Sequence, residues 1–226
     1  MLGDPAGRSL LDVGCGTCLL AASFTDAGWE ATGCEPEPTM REVAVREHPA
    51  IVVREGALPS LPFDDAGFDA VVANFVLNHV ADPRASAGEL LRVSADLVAA
   101  TIWTNSPTWL WREVRDRAAL PPTEGERLPP DKDFERTVDG FTRMLDDAGW
   151  TRPQVSEISW TWSADAPSLW ASAEGGVGGA GQFYRALDDA GRRSFRNAFE
   201  SVCRERAIDG VIPLEHSAAV AIGSRG

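Results

Sequence analysis

Residues Leu10 to Cys18 read Leu-Leu-Asp-Val-Gly-Cys-Gly-Thr-Cys: an apolar run that carries an acid and breaks into a glycine turn. Leu19, Leu20, Ala21, Ala22 and Phe24 follow in a helix-compatible order. A strand, a glycine turn and a helix in succession form the local design of a site for an adenosine-containing cofactor. Gly14 lets the backbone take a dihedral closed to other residues, and Gly16 lets a ligand lie against the main chain. The helix behind them presents unpaired N–H groups. Asp12 has two readings: it bonds amides of the loop at the site, or it caps the turn.

Other reactive residues are sparse. Cysteines stand at 15, 18, 34 and 203, which is no disulfide framework for 226 residues. Cys15 and Cys18 form a C-x-x-C, open between a redox motif and half of a zinc site. No second C-x-x-C or paired histidine follows, so neither a metal nor a redox role is expected. The histidines, His48, His79 and His216, are scattered, and Lys132 is the sole lysine, which removes most candidates for Schiff-base chemistry. Tryptophan numbers eight against one tyrosine. Trp103, Trp109 and Trp111 follow a strand end, where open α/β sheets bind ligands, so they form either an aromatic wall for a substrate or core. Trp160 and Trp162 share one face of a strand and are expected in the core.

These residues need a scaffold, and the first half of the chain supplies its pattern. Strands are expected over Ser9–Val13, Glu30–Cys34, Ile51–Arg54, Phe68–Asn74 and Leu97–Trp103. Helices between them reach to about Ala27, cover Thr39–Glu47 and cover Pro83–Val93. Strands alternating with helices predict a parallel sheet with crossover helices. In the second half, helices are expected over Pro107–Ala119 and Thr137–Ala148, with a proline-rich loop over Pro121–Pro130 between them. A strand over Val155–Trp162, a helix to about Arg206 and a strand over Val211–Ile222 complete it. The glycines from 175 to 181 are expected as a flexible connection, with a lid hinge as the alternative.

Composition excludes several roles. A hydrophobic fraction of 44% and a charged fraction of 24% are those of a globular protein. A net charge of −13 without a basic stripe argues against nucleic acid as partner. No apolar run approaches the roughly 20 residues of a membrane helix. With no signal-peptide pattern, a cytoplasmic location is expected.

On these motifs the chain resembles the class I S-adenosylmethionine-dependent methyltransferases, in particular the small-molecule branch common in actinobacteria. The resemblance implies an α/β, Rossmann-like three-layer sandwich with a seven-stranded, mostly parallel sheet. Its strand order would be 3-2-1-4-5-7-6, with the last strand antiparallel. It implies one domain over residues 1–226, divided into a cofactor-binding half at 1–104 and a substrate-side half at 105–226. The glycine motif, here Asp12, Gly14, Cys15 and Gly16, would wrap the methionine part of the cofactor. Glu35, followed by Pro36, stands where the family's acid binds both ribose hydroxyls, roughly 20 residues after the motif. A solvated surface acid is the alternative.

A third family element reads roughly Gly-Asp-Ala-x-x-Leu-Pro-Phe, its Asp accepting from the adenine amino group. Gly56-Ala57-Leu58-Pro59-Ser60-Leu61-Pro62-Phe63 keeps that frame, but Ala57 replaces the acid. Adenine would then rest on backbone and apolar contacts at Ala57 and Leu58. Gly67 to Val72 matches the entry to the fourth strand, and Asn74 to Val80 resembles the loop beneath the transferred methyl. Asn74 and Phe75 are therefore cofactor candidates, and Asn78, Trp103 and Trp109 substrate candidates. His79 is either a general base or a structural histidine at a helix start.

Two further departures stand out. Cys18 replaces the family's third glycine. Strand one begins at Ser9, whereas the family carries a helix before it. Met1 to Asp4 looks like the tail of such a helix, so a longer natural chain, cover from a neighbouring subunit in a homo-oligomer, or an open pocket is expected. The leading functional expectation is methyl transfer from S-adenosylmethionine to a small molecule, in secondary metabolism. The alternatives are a methyltransferase fold that catalyses cyclisation, decarboxylation or rearrangement, and a non-catalytic ligand-binding or regulatory protein.

Overall fold

The computed structural model describes residues 4–5, 7–122 and 128–225. Met1–Gly3, and with them most of the segment expected as a helix tail, lie outside the described residues, as does the middle of the Pro121–Pro130 loop. The strands are β1 Ser9–Val13, β2 Glu30–Cys34, β3 Val52–Arg54, β4 Phe68–Asn74, β5 Ser94–Asn105, β6 Thr151–Ala164 and β7 Ile212–Ser224. The helices are α1 Leu19–Asp26, α2 Pro38–Glu47, α3 Pro83–Val93, α4 Trp109–Arg117, α5 Val138–Asp147, α6 Ala166–Glu174, α7 Gly178–Ala186 and α8 Asp189–Arg206.

The seven strands run in the order β3-β2-β1-β4-β5-β7-β6. The pairs β1–β2, β1–β4, β2–β3 and β4–β5 are parallel. Leu11 lies beside Thr32 on one side and Val71 on the other, which fixes the register of the centre. Both faces of β1 and β4 are covered, so these strands read as continuous apolar runs without alternation. The order reverses between β1 and β4, and the crevice beyond their carboxyl ends is where an open α/β sheet takes its ligand.

The chain forms two compact units. The first takes residues 1–104, 127–158 and 218–226; the second takes 105–126 and 159–217. In the first unit, Leu11, Val71, Leu77, Leu90, Val98, Phe141 and Met144 form the main core, and Trp150 donates its indole N–H to the carbonyl of Ala87 at 3.0 Å. The second unit is built on Leu110, Val114, Leu169, Trp170, Phe195, Phe199 and Leu214. Helices start where a side-chain oxygen can accept a free N–H: Asp82 for α3, Thr137 for α5, Asp165 for α6 and Asp188 for α8.

The structure departs from the sequence reading in the second half. α6 lies where no helix was expected. The glycines from 175 to 181 are no loose connection: Gly175 and Gly176 make a turn, and Gly178, Gly179 and Gly181 belong to α7. A Cβ on Gly181 would stand 2.3 Å from the carbonyl carbon of Gly176, so glycine here serves close packing. The expected long helix is two, α7 and α8, separated at Leu187–Asp188. Trp160 and Trp162 are 38% and 48% exposed, which overturns their placement in the core. Period-two spacing puts both on one face without saying which face is covered; Trp160 stacks on His216 at 5.4 Å.

Candidate cofactor site

The site forms where β1, β2 and β4 end. Gly14 and Gly16 both hold a positive φ, 68° and 55°. A Cβ at 14 would come within 2.6 Å of Val76, so the turn is shaped by close approach as well as by dihedral. The N–H groups of Gly14 and Cys15 both donate to the carbonyl of Cys34, at 2.8 and 3.2 Å, which ties the loop to the end of β2.

Glu35 follows immediately and is only 6% exposed. Its Oε2 accepts from the Gly16 N–H at 2.8 Å and its Oε1 from the Glu37 N–H at 3.0 Å. Arg41, one turn into α2, donates to the carbonyls of Glu35 and Pro36 and pairs with Glu55 at 3.0 Å. The sequence reading missed Arg41; an arginine in the first turns of the helix after a ligand-holding strand end was the available signal.

Asp12 sits beneath the loop, 1% exposed, with its Oδ2 lacking any hydrogen-bond partner among the described residues. Burial pushes its carboxyl up to about 7; the Ala21 backbone N–H pulls it back, and the charge of Glu35 raises it further. A buried carboxyl with an orphaned oxygen beside a glycine loop is a group shaped for a donor or cation outside the chain.

A cavity of about 500 Å³ opens above these groups. Gly14, Glu35, Pro36, Ala57 and Leu58 line it, as do Asn74, Phe75 and His79. Of the expected cofactor residues, Asp12, Cys15 and Gly16 are absent from its wall and support it from behind. Val13, Gly56, Val76, Val80 and Ala81 join the wall without having been singled out. Phe75 takes a positive φ of 59° and stacks on Trp103 at 3.9 Å between ring centres. Thr101 fixes this corner: its Oγ1 accepts from the Phe75 N–H at 2.9 Å and donates to Asn74 Oδ1 at 2.7 Å.

His79 lies in a turn, with its N–H donating to the Val76 carbonyl at 2.8 Å. The next helix begins only at Pro83, so the helix-start alternative does not describe it. The expected substrate residues fall in both units, Asn78 and Trp103 in the first and Trp109 in the second. The amide of Asn78 is engaged with Trp103, accepting from its N–H at 2.9 Å and facing its carbonyl at 3.5 Å, so it fastens the end of β5. Trp103 backs Phe75 and does not line the cavity. Trp109 belongs to the second unit, where Arg206 lies 5.8 Å over its ring. In that unit a separate cavity of about 570 Å³ is walled by Trp111, Trp162, Phe183 and Phe195, with Trp111 in place of Trp109.

Fold and site together define an α/β protein with a cavity at the reversal of its strand order. A methyltransferase-domain family matches residues 11–96. An uncharacterized methyltransferase of Mycobacterium leprae is 38% identical over 108 residues, which cover 44% of this chain and 39% of the relative. A demethylmenaquinone methyltransferase of Paenarthrobacter aurescens is 31% identical over 166 residues, covering 64% of this chain and 63% of the relative. The chain thus spans less than two thirds of the length of these relatives. Among solved structures, the YcgJ protein of Bacillus subtilis superposes with a TM-score of 0.63 at 17% identity, over 99% of this chain and 94% of that one. A phosphoethanolamine N-methyltransferase of Haemonchus contortus, solved with S-adenosylhomocysteine, gives 0.54 at 14% identity, over 97% of this chain and 49% of that one. Residues 11–96 thus carry the likeness to a methyltransferase domain, and the chain shares the fold of the solved structures it superposes on.

Proposed function

We propose that this chain binds S-adenosylmethionine at the β1–β2–β4 cavity and transfers its methyl group to a small-molecule acceptor. The observation that carries this is Glu35: a buried carboxylate on the cavity wall, each oxygen already aligned by one backbone N–H. A carboxylate has about four acceptor positions, so both oxygens keep capacity for a pair of hydroxyls. The cofactor supplies a methyl group activated by its sulfonium. Everything else is work of the chain. Gly14 lets a ligand approach the main chain, and Asp12 holds an orphaned oxygen for a donor at the loop. Ala57 and Leu58 offer an apolar rest in place of the family's adenine-binding acid. Phe75, clamped by Thr101 and Trp103, closes the wall and keeps water from it. His79 takes the acceptor's proton at a ring nitrogen, a role that general bases fill with about 100-fold or greater effects. A cytoplasmic setting in secondary metabolism accompanies this reading.

Calorimetry with S-adenosylmethionine and S-adenosylhomocysteine is the test. Saturable binding of both, followed by methyl transfer on a panel of hydroxyl, amine and activated-carbon acceptors including a demethylated quinone, supports it. Absence of binding overturns it. With an acceptor in hand, His79→Ala is expected to lower turnover at least tenfold while cofactor affinity stays within twofold. An unchanged rate would remove the base role. Ala57, where the family has an acid, favours one second reading: a fold that binds the cofactor and runs a non-methylating reaction, shown by tight binding without transfer to any acceptor.

A further inference from the structure

The C-x-x-C at 15 and 18 has no part in that reaction, yet its geometry is specific. The two sulfurs lie 3.1 Å apart and both thiols are free. Cys15 is 9% exposed and Cys18 is sealed. Gly33, on the adjoining strand, makes room for the pair: a Cβ there would stand 2.7 Å from each sulfur. Cys18 also holds a left-handed φ of 63° immediately before α1, a conformation rare for a residue with a side chain. A disulfide bond is about 2.05 Å long, so closure needs the sulfurs to move together by about 1 Å. Among the described residues no third His, Cys, Asp or Glu completes a metal-holding cluster.

We propose that Cys15 and Cys18 are a reversible oxidation site that closes to a disulfide and withdraws the cofactor loop from its ligand-holding form. This rests on the reading of Gly14–Gly16 as that loop. With hydrogen peroxide as oxidant, the thiolate of Cys15, the sulfur with a face to solvent, attacks one oxygen and the O–O bond breaks. A sulfenic acid forms on Cys15, and the departing hydroxide takes a proton to become water. Cys18 then attacks that sulfur; the S–S bond forms, and the sulfenic hydroxyl leaves with the Cys18 proton as a second water. Two thiols give up two electrons and two protons, and one peroxide becomes two waters. A small dithiol reverses the change by exchange.

The two sulfurs share one hydrogen bond, and Cys15 is the one with a face to solvent, which assigns the attacking sulfur. Gly16 lies between the two cysteines, and its N–H holds Glu35 at 2.8 Å. Drawing Cys15 toward Cys18 tightens the turn that carries this N–H and pulls on the hydrogen bond that the Cys15 N–H donates to the Cys34 carbonyl. The coupling is reciprocal: whatever factor oxidation removes from cofactor affinity, bound cofactor removes from the tendency to oxidise.

The full chain, reduced and then treated with peroxide, is alkylated and mapped by mass spectrometry. The expected product is one disulfide joining 15 and 18, with Cys34 and Cys203 alkylated, reversed by dithiothreitol and absent from both Cys15→Ser and Cys18→Ser. Calorimetry on the oxidised protein is expected to show S-adenosylmethionine bound at least tenfold more weakly than by the reduced protein. Unmodified thiols, single-site over-oxidation, or a disulfide that leaves affinity within twofold each overturn the proposal. Reduced protein that binds the cofactor but forms no disulfide fails this proposal alone. Reduced protein that forms the disulfide but never binds the cofactor fails the functional reading, and loop withdrawal with it.

Discussion

At the scale of single residues, Glu35 and Asp12 are two acids at adjoining strand ends in very different circumstances. Glu35 is buried but served by two N–H groups, so it stays an acceptor poised for a ligand. Glu35→Gln keeps the shape and removes the charge; cofactor affinity is expected to fall by about 1.5–3 kcal/mol, read by calorimetry, with the fold unchanged by circular dichroism. Asp12 has one orphaned oxygen and a carboxyl raised from 3.8 to about 7. The native state keeps this proton where the unfolded chain has lost it. Asp12 therefore costs nothing below about pH 4, destabilises progressively as pH climbs toward 7, and reaches its full penalty above that. Three units correspond to about 4 kcal/mol. Urea titrations of Asp12→Asn against the parent are expected to coincide near pH 4 and to diverge, with the variant more stable, by pH 8. Curves that stay parallel would show that Asp12 is not held protonated.

At the scale of elements, the glycine loop works because strand ends and dihedrals agree. Gly14→Ala places a Cβ 2.6 Å from Val76 on a φ of 68°, and is expected to cost at least about 1–2 kcal/mol in denaturant midpoint and to abolish cofactor binding. β1, β2, β4 and α3 begin and end where their residues predict. Their apolar runs are bounded by the punctuation that sets elements locally: Gly14 after Val13, Asp82-Pro83 before α3. Seven of the ten cofactor candidates line the cavity, because it hangs on those same strand ends. What escaped was long-range. Asn78 looked like a substrate contact because an amide near a strand end is free in sequence; only the approach of Trp103 spends it. α6 had its signals, Asp165 as cap and Pro167 in the first turn, but they were overshadowed by the tryptophan strand before them. The glycines of α7 read as breakers because composition reports flexibility, whereas Gly181 is there for contact.

At the scale of the molecule, each of the two units carries its own core, and they differ in kind. The first is aliphatic, built on Leu, Val and Ala along parallel strands. The second is aromatic: Trp111 lies parallel to Phe195 and to Phe199 at 6.0 and 5.5 Å, with Trp170 tilted against both. Phe195, 1% exposed, meets four rings, those of Trp111, Trp170, Phe183 and Tyr184. Phe195→Ala is expected to cost about 3–5 kcal/mol, measured by urea denaturation followed through tryptophan emission. A loss under 1 kcal/mol would mean that the aromatic cluster repacks and that its rings are interchangeable.

Cys18 has a consequence for the history of such chains. Its left-handed backbone opposes folding by about 1–2 kcal/mol relative to glycine, while its sealed side chain returns a similar amount through burial. Glycine and cysteine at this position are therefore close to isoenergetic, and their codons differ by one base. A lineage can cross between them without passing through an unstable ancestor. The second thiol beside Cys15 is thus a trait that drift can supply and selection can keep.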